Sequence, residues 1–218
     1  MTVGEVIGLL EGEYGCPRWR PRTEPLSELI GTVLSQNTSD INSRRAFDGL
    51  VATFGGWEAV ARADAGQIAE AIRGGGLGEI KARRIKALLT IVLEERGSLD
   101  MGFLERLSTS EARAWLEALP GVGPKTAACV LLFSLGRPVL PVDTHVYRVS
   151  ARLGLINGRA SPGRAQAILE EIVAPQARYS FHVNVIAHGR TVCRARRPLC
   201  KDCVLAQRCP SASLGSPA

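Results

Sequence analysis

Four cysteines near the C-terminus, Cys193, Cys200, Cys203 and Cys209, follow a C-x6-C-x2-C-x5-C pattern within 17 residues. Thiols at this density bind metal in a reducing compartment and pair as disulfides in an oxidising one. No basic segment with an apolar stretch follows Met1, so no secretory signal is expected, and metal is the expected use. Four sulfurs suit tetrahedral zinc or an iron–sulfur cluster. Structural zinc sites usually pair their ligands in two C-x2-C knuckles. Here only Cys200 and Cys203 have that spacing, which favours the cluster and leaves zinc open. Cys129 lies in an apolar helical run and is expected to pack; Cys16, before Pro17, is assigned no role.

A second constellation carries nucleophile and base chemistry. Leu119-Pro120-Gly121-Val122-Gly123-Pro124-Lys125 reads as a helix end, a tight turn through two glycines, and a helix start with proline in its first turn. Such a turn leaves backbone N–H groups at a helix N-terminus, where a phosphate can sit. A plain elbow between helices needs the same residues. Lys125 changes the balance. It stands in a first turn, where the helix dipole disfavours a cation, among small and apolar neighbours, and both effects favour a nucleophilic neutral amine. Eighteen residues on, Asp143 opens a further helix, either as an N-cap or as a carboxylate for acid–base work.

The elements that must position these groups are helical throughout. Leu26, Leu29, Ile30, Val33 and Leu34 recur at helical spacing, as do Ile85–Val92, Ala112–Leu119 and Ala165–Ile172. Pro25 and Pro162 mark helix starts, and the Gly136–Pro141 stretch, followed by an extended Val139–Val142, marks a boundary. Residues 26–136 are expected to form a helical bundle containing the hairpin. Residues 137–210 would form a small cysteine-bound lobe that recruits residues 1–25, whose Val6, Ile7, Leu9 and Leu10 need burial. Residues 211–218 read as a disordered tail. The longest apolar run, Ala127–Phe133, is too short to span a bilayer.

Charge points to a polyanion. Twenty-seven Lys and Arg stand against 21 Asp and Glu, and between residues 190 and 209 six cations, Arg194, Arg196 and Arg197 among them, meet only Asp202.

Taken together, Leu119–Ala127, the run Val142-Asp143-Thr144-His145-Val146-Tyr147-Arg148-Val149 and the four-cysteine pattern resemble the endonuclease III branch of the helix-hairpin-helix DNA glycosylases. The resemblance covers about residues 24–209. It implies an all-α, two-lobed fold of a six-helix bundle and a small helical lobe. In that lobe the four cysteines would hold a [4Fe–4S] cluster. It implies that Lys125 attacks C1′ of a damaged nucleotide and that Asp143 assists. Gly121 and Gly123 would hold a phosphate, with Thr144, His145 and Arg148 as further DNA contacts. Leu77 matches one of the family's two wedge positions; the other, usually glutamine, aligns with Asn37, a departure from the family with Gln36 one step before it, and which of Gln36 and Asn37 fills the vacated base position is left open. The related adenine glycosylases carry serine at the Lys125 position and a catalytic glutamate where Thr32 stands, and the thymine-mismatch branch carries tyrosine at the lysine position; Lys125 argues against both.

The expected function is therefore excision of oxidised pyrimidines from double-stranded DNA by a monomeric cytoplasmic, nucleoid-associated enzyme, with strand cleavage by β-elimination. A monofunctional glycosylase and a non-enzymatic zinc-containing DNA-binding module are the alternatives. His182 and His188 are expected to pack or cap near the cysteines, not to ligate.

Overall fold

The computed structural model describes residues 1–212; the rest of the tail expected at 211–218 lies outside the described residues. Ser211 and Ala212 belong to a turn in which the Ala212 N–H donates to the Cys209 carbonyl at 3.1 Å. Among the described residues none is in a β-strand, and no helix is long and apolar enough to cross a membrane. The chain forms two compact units, Pro21–Leu135 on the one hand and Met1–Arg20 with Gly136 onward on the other.

The first unit contains α2 (Pro25–Ser35), α3 (Asp40–Phe54), α4 (Trp57–Arg62), α5 (Ala65–Ala71), α6 (Gly78–Arg96), α7 (Thr109–Ala118) and α8 (Pro124–Phe133). Pro25 occupies the first turn of α2, and the Glu24 carboxylate caps it by accepting the N–H groups of Leu26 and Ser27 at 2.9 Å. The apolar stripe Leu26, Leu29, Ile30, Val33 and Leu34 is fully buried, each side chain contributing about 1.5–3 kcal/mol. Gly49 on α3 faces the Ala71 carbonyl so closely that a Cβ would come within 2.4 Å of its oxygen, so only glycine admits this helix crossing. The bundle has seven α-helices where six were expected. Asp64 and Gln67 form a capping box that starts α5 afresh after α4 has ended at Arg62, so this stretch holds two short helices.

The second unit contains α1 (Val3–Tyr14), α9 (Thr144–Arg152), α10 (Pro162–Ile172) and α11 (Arg178–Thr191). Its core joins Val6 and Leu10 of α1 to Val146, Val149, Phe181 and Val185. The N-terminal helix thus buries its apolar face within the cysteine-bearing unit. Leu9 does not follow: it sits off the Val6–Leu10 face and is 40% exposed. Ile172, the last residue of α10, is likewise exposed at the end of its stripe.

Candidate active site

In the bundle unit α7 ends at Ala118 with Leu119 as its C-cap, and the chain then reverses. Gly121 takes φ +77°, a conformation that L side chains rarely adopt, and the Val122 N–H closes the turn on the Leu119 carbonyl at 3.1 Å. Val122 is buried in the angle of the hairpin. Gly123 then begins α8 with no side-chain cap, and Pro124 follows at the first helical position. The first-turn amides are left to an outside acceptor, which is the arrangement that binds a phosphate.

Lys125 stands in this first turn, half-buried. Its surroundings are not wholly apolar, contrary to the expectation from its sequence neighbours. One turn along α8 the Cys129 thiol hydrogen-bonds with the Lys125 side chain, and the Glu28 carboxylate of α2 interacts with it electrostatically. Glu28 is only 6% exposed and receives Arg22 Nη1 at 3.2 Å. Burial pushes its carboxyl above the ordinary range, against the pull of Arg22 and Lys125. Sequence reasoning missed Glu28, whose neighbours Leu29, Ile30 and Thr32 are also buried. The only available signal was an acid embedded in an otherwise apolar helix.

The two wedge candidates of the bundle share an unusual backbone. Asn37 and Leu77 both adopt the left-handed conformation at φ +52°, both are exposed, and a Cβ on the adjoining Gly76 would lie 3.7 Å from Thr38 Oγ1. Gln36 behaves differently. Its amide is turned into the unit, Nε2 donating to the Gly121 carbonyl at 3.1 Å and Oε1 accepting from Arg84 Nη1 at 2.9 Å.

Asp143 lies in the second unit, where it N-caps α9: Oδ1 accepts the Val146 N–H at 2.7 Å. The capping role is realised. Thr144 is exposed. His145 Nδ1 lies 3.1 Å from Arg148 Nη2. Arg148 also donates from Nε to the Cys193 carbonyl at 3.1 Å and from Nη2 to the Gly189 carbonyl at 2.8 Å. It thus braces the start of the cysteine segment against α9 and α11, a use that its sequence position did not signal.

Cys193, Cys200, Cys203 and Cys209 line one cavity with His188 and Arg152. Burial raises the Cys203 and Cys209 thiols. Two nitrogens lie beside the sulfurs: Arg152 Nη1 donates to Cys193 Sγ at 3.3 Å, and His188 Nε2 lies 3.4 Å from Cys203 Sγ. His188 is buried, and desolvation lowers its pKa to about 4, so it is neutral. Among the described residues no three His, Cys, Asp or Glu side chains converge closely enough for a single ion. The four thiols that line this cavity are the donor set from which a bound group would be held. Between Cys193 and Cys200 the loop exposes Arg194, Arg196 and Arg197, the last at φ +51°. His182, buried, pairs its Nδ1 with the Pro141 carbonyl at 2.8 Å.

Residues 30–175 match the HhH-GPD superfamily of base excision DNA repair proteins. The chain is 33% identical over 193 residues to endonuclease III of Thermotoga maritima, covering 88% of this chain and 86% of that one. It is 36% identical over 192 residues to the Arabidopsis thaliana protein At3g47830, covering 88% of this chain and spanning 63% of the relative's length. Its fold overlays that of an endonuclease III trapped in a covalent intermediate with DNA, with a TM-score of 0.84, 26% identity and 98% of both chains covered. The chain belongs to the HhH-GPD superfamily of base excision DNA repair proteins, where its sequence and its structure both relate it to endonuclease III.

Proposed function

We propose that the protein is a bifunctional DNA glycosylase and AP lyase. It would excise oxidised pyrimidines from double-stranded DNA and cut the strand 3′ to the emptied sugar, acting as a monomer in the cytoplasm on nucleoid DNA. The observation that carries this reading is the Lys125 amine on the first turn of α8, immediately behind an uncapped hairpin, in a relative of an endonuclease III that has been trapped covalently on DNA.

The chemistry follows from the amine. The Lys125 amine donates its lone pair to C1′, the N-glycosidic bond breaks, and the base leaves with the bonding electrons. Asp143 takes the proton that the amine sheds and stabilises positive charge on the sugar. Opening of the sugar ring gives a protonated Schiff base, which acidifies the C2′ proton. Loss of that proton expels the 3′ phosphate by β-elimination. Only an amine can form this intermediate.

DNA engagement is supported by backbone strain. Among the described residues three non-glycine residues have positive φ, namely Asn37, Leu77 and Arg197. Each stands at an exposed position expected to meet DNA, and for Leu77 the conformation costs roughly 1–2 kcal/mol. Phosphate would bind at Gly121 and Gly123, with Thr144, Arg194 and Arg196 as further contacts. The four cysteines would hold a [4Fe–4S] cluster that fixes the arginine-bearing loop, and no reaction step passes through it.

Borohydride reduction in the presence of a thymine-glycol duplex tests the reading. A covalent protein–DNA adduct supports it; base release with no adduct points to the monofunctional alternative, and binding with neither to a DNA-binding module.

A further inference from the structure

Within the bundle unit, the parts that would meet DNA come from distant stretches of sequence: Asn37 after α2, Leu77 before α6, and the turn at Gly121. One helix connects all three. Leu77 is the N-cap of α6. One turn later Lys81, 2% exposed, donates from Nζ to the Leu34 carbonyl at 2.7 Å, near the C-terminal end of α2. Helix ends expose unsatisfied carbonyls and partial negative charge, so a cation there is favourable. Almost one further turn along α6, Arg84 Nη1 donates to Gln36 Oε1 at 2.9 Å. Gln36 passes the connection on, its Nε2 donating to the Gly121 carbonyl at 3.1 Å.

The amide of Gln36 has one acceptor end and one donor end, and its partners leave one orientation. The guanidinium requires the oxygen and the Gly121 carbonyl requires the NH2. The Arg84 stem also packs on the turn itself, since a Cβ at Gly121 would meet Arg84 Cδ at 2.8 Å. Gly121 is required for its φ of +77°, and its lack of a Cβ leaves room for the Arg84 stem to lie on the turn.

We infer that Arg84 and Gln36 are positioning residues, locking the loop that carries Asn37 to the phosphate-binding turn at Gly121. The linkage then sets where the side chain that enters the base stack stands relative to that turn. The inference rests on the DNA glycosylase reading above. It assigns the vacated base position to Asn37, because the Gln36 amide is committed to Arg84 and Gly121. It also separates Arg84 from the phosphate-binding cations, although it is a cation beside an anion-binding turn.

The test uses Arg84→Met, which keeps most of the stem, and Gln36→Ala, which breaks the same linkage from its other end. Three readouts are needed: binding to a duplex with a tetrahydrofuran abasic analogue across a salt series, single-turnover excision of a lesion in a stable pair, and borohydride trapping on a preformed abasic site. Both variants should slow excision of the paired lesion about tenfold while slowing trapping at the abasic site no more than about twofold. The double variant should be no worse than the singles, because the linkage is already broken. The salt slope of Arg84→Met should equal that of the unaltered protein. A slope shallower by about one unit would make Arg84 a direct phosphate ligand and overturn the inference. Equal losses on both substrates, or additive losses in the double variant, would reduce the pair to ordinary packing. Failure of the unaltered protein to give any adduct strikes the enzymatic reading instead, so the two failures are distinguishable.

Discussion

Tyr14 Oη and His188 Nδ1, 174 residues apart in sequence, lie 3.0 Å from each other in the N- and C-terminal unit. If Cys203 holds the proposed cluster as a thiolate, its sulfur can only accept a hydrogen bond, and the Nε2 that lies 3.4 Å from it would carry the proton. Nδ1 is then the acceptor and Tyr14 the donor. In that arrangement Tyr14, at the end of the N-terminal helix, would hold His188 in the tautomer that donates to the sulfur.

A metal prediction follows from that arrangement. Protein purified without oxygen should contain about four iron and four acid-labile sulfide per chain. One zinc per chain with no sulfide, in protein produced with ample iron, would sink the cluster assignment. Cys203→Ser should lower metal content and destabilise the unit, since bound metal contributes folding energy.

The arginine loop makes a separate, electrostatic prediction. Arg194, Arg196 and Arg197 are exposed between two of the cysteines. Replacing any of them by Ala should weaken binding to damaged and undamaged duplex by similar factors and flatten the salt slope by about one unit per lost phosphate contact. Unchanged slopes in all three variants would show that the loop does not touch DNA.

Much of this organisation was legible in the sequence because it is local. Prolines and glycines fix chain direction, so Pro25, Gly121 and Pro124 announce helix starts and a hairpin whatever surrounds them. Cysteine spacing is similarly local. What the sequence hides is which way a polar side chain turns. Gln36 and Asn37 are neighbours, yet Gln36 points into the bundle because Arg84, 48 residues away, offers its oxygen a partner. Glu28 is buried because α2 is covered on nearly every side, which its own periodicity does not reveal.

Glu28 gives a pH prediction. Its carboxyl is raised in the folded protein above the unfolded value near 4.5, with desolvation as the leading cause. Between the two values the folded state holds a proton that the unfolded state has lost, so stability falls as pH rises through the folded value. Glu28→Gln keeps a hydrogen-bonding group for Arg22 and removes this penalty. Its melting temperature should exceed that of the unaltered protein at pH 7.5, with the difference shrinking as pH approaches 4.5. A difference that grows on acidification would reverse the sign and refute the assignment.

Leu77 tests the base-flipping reading. It is 51% exposed and held at φ +52°, so it contributes little burial and carries strain. Leu77→Gly should relieve the strain and raise stability slightly, while excision of a paired lesion drops more than trapping at an abasic site. Loss of stability in the glycine variant would mean that Leu77 supports the fold and not the flip.

Lys125 and Asp143 separate lyase, glycosylase and binding module in one experiment. Lys125→Gln keeps a polar side chain of similar reach on the first turn of α8 but cannot form a Schiff base. It should bind damaged duplex and give no borohydride-trapped adduct. Asp143→Asn is the sharper variant because of what the cap requires. Asp143 holds α9 through Oδ1, which accepts the Val146 N–H at 2.7 Å, and an asparagine oxygen can accept that bond equally well. Fold and DNA binding should therefore survive, with a melting temperature close to that of the unaltered protein. Only the charge is lost, and with it the acceptor for the lysine proton and the counter-charge to the sugar. Turnover should fall about 10²-fold or more, the usual scale for a positioned acid–base group. Near-normal turnover in Asp143→Asn would leave Asp143 a helix cap and nothing else, and an undiminished adduct in Lys125→Gln would move the nucleophile to another amine.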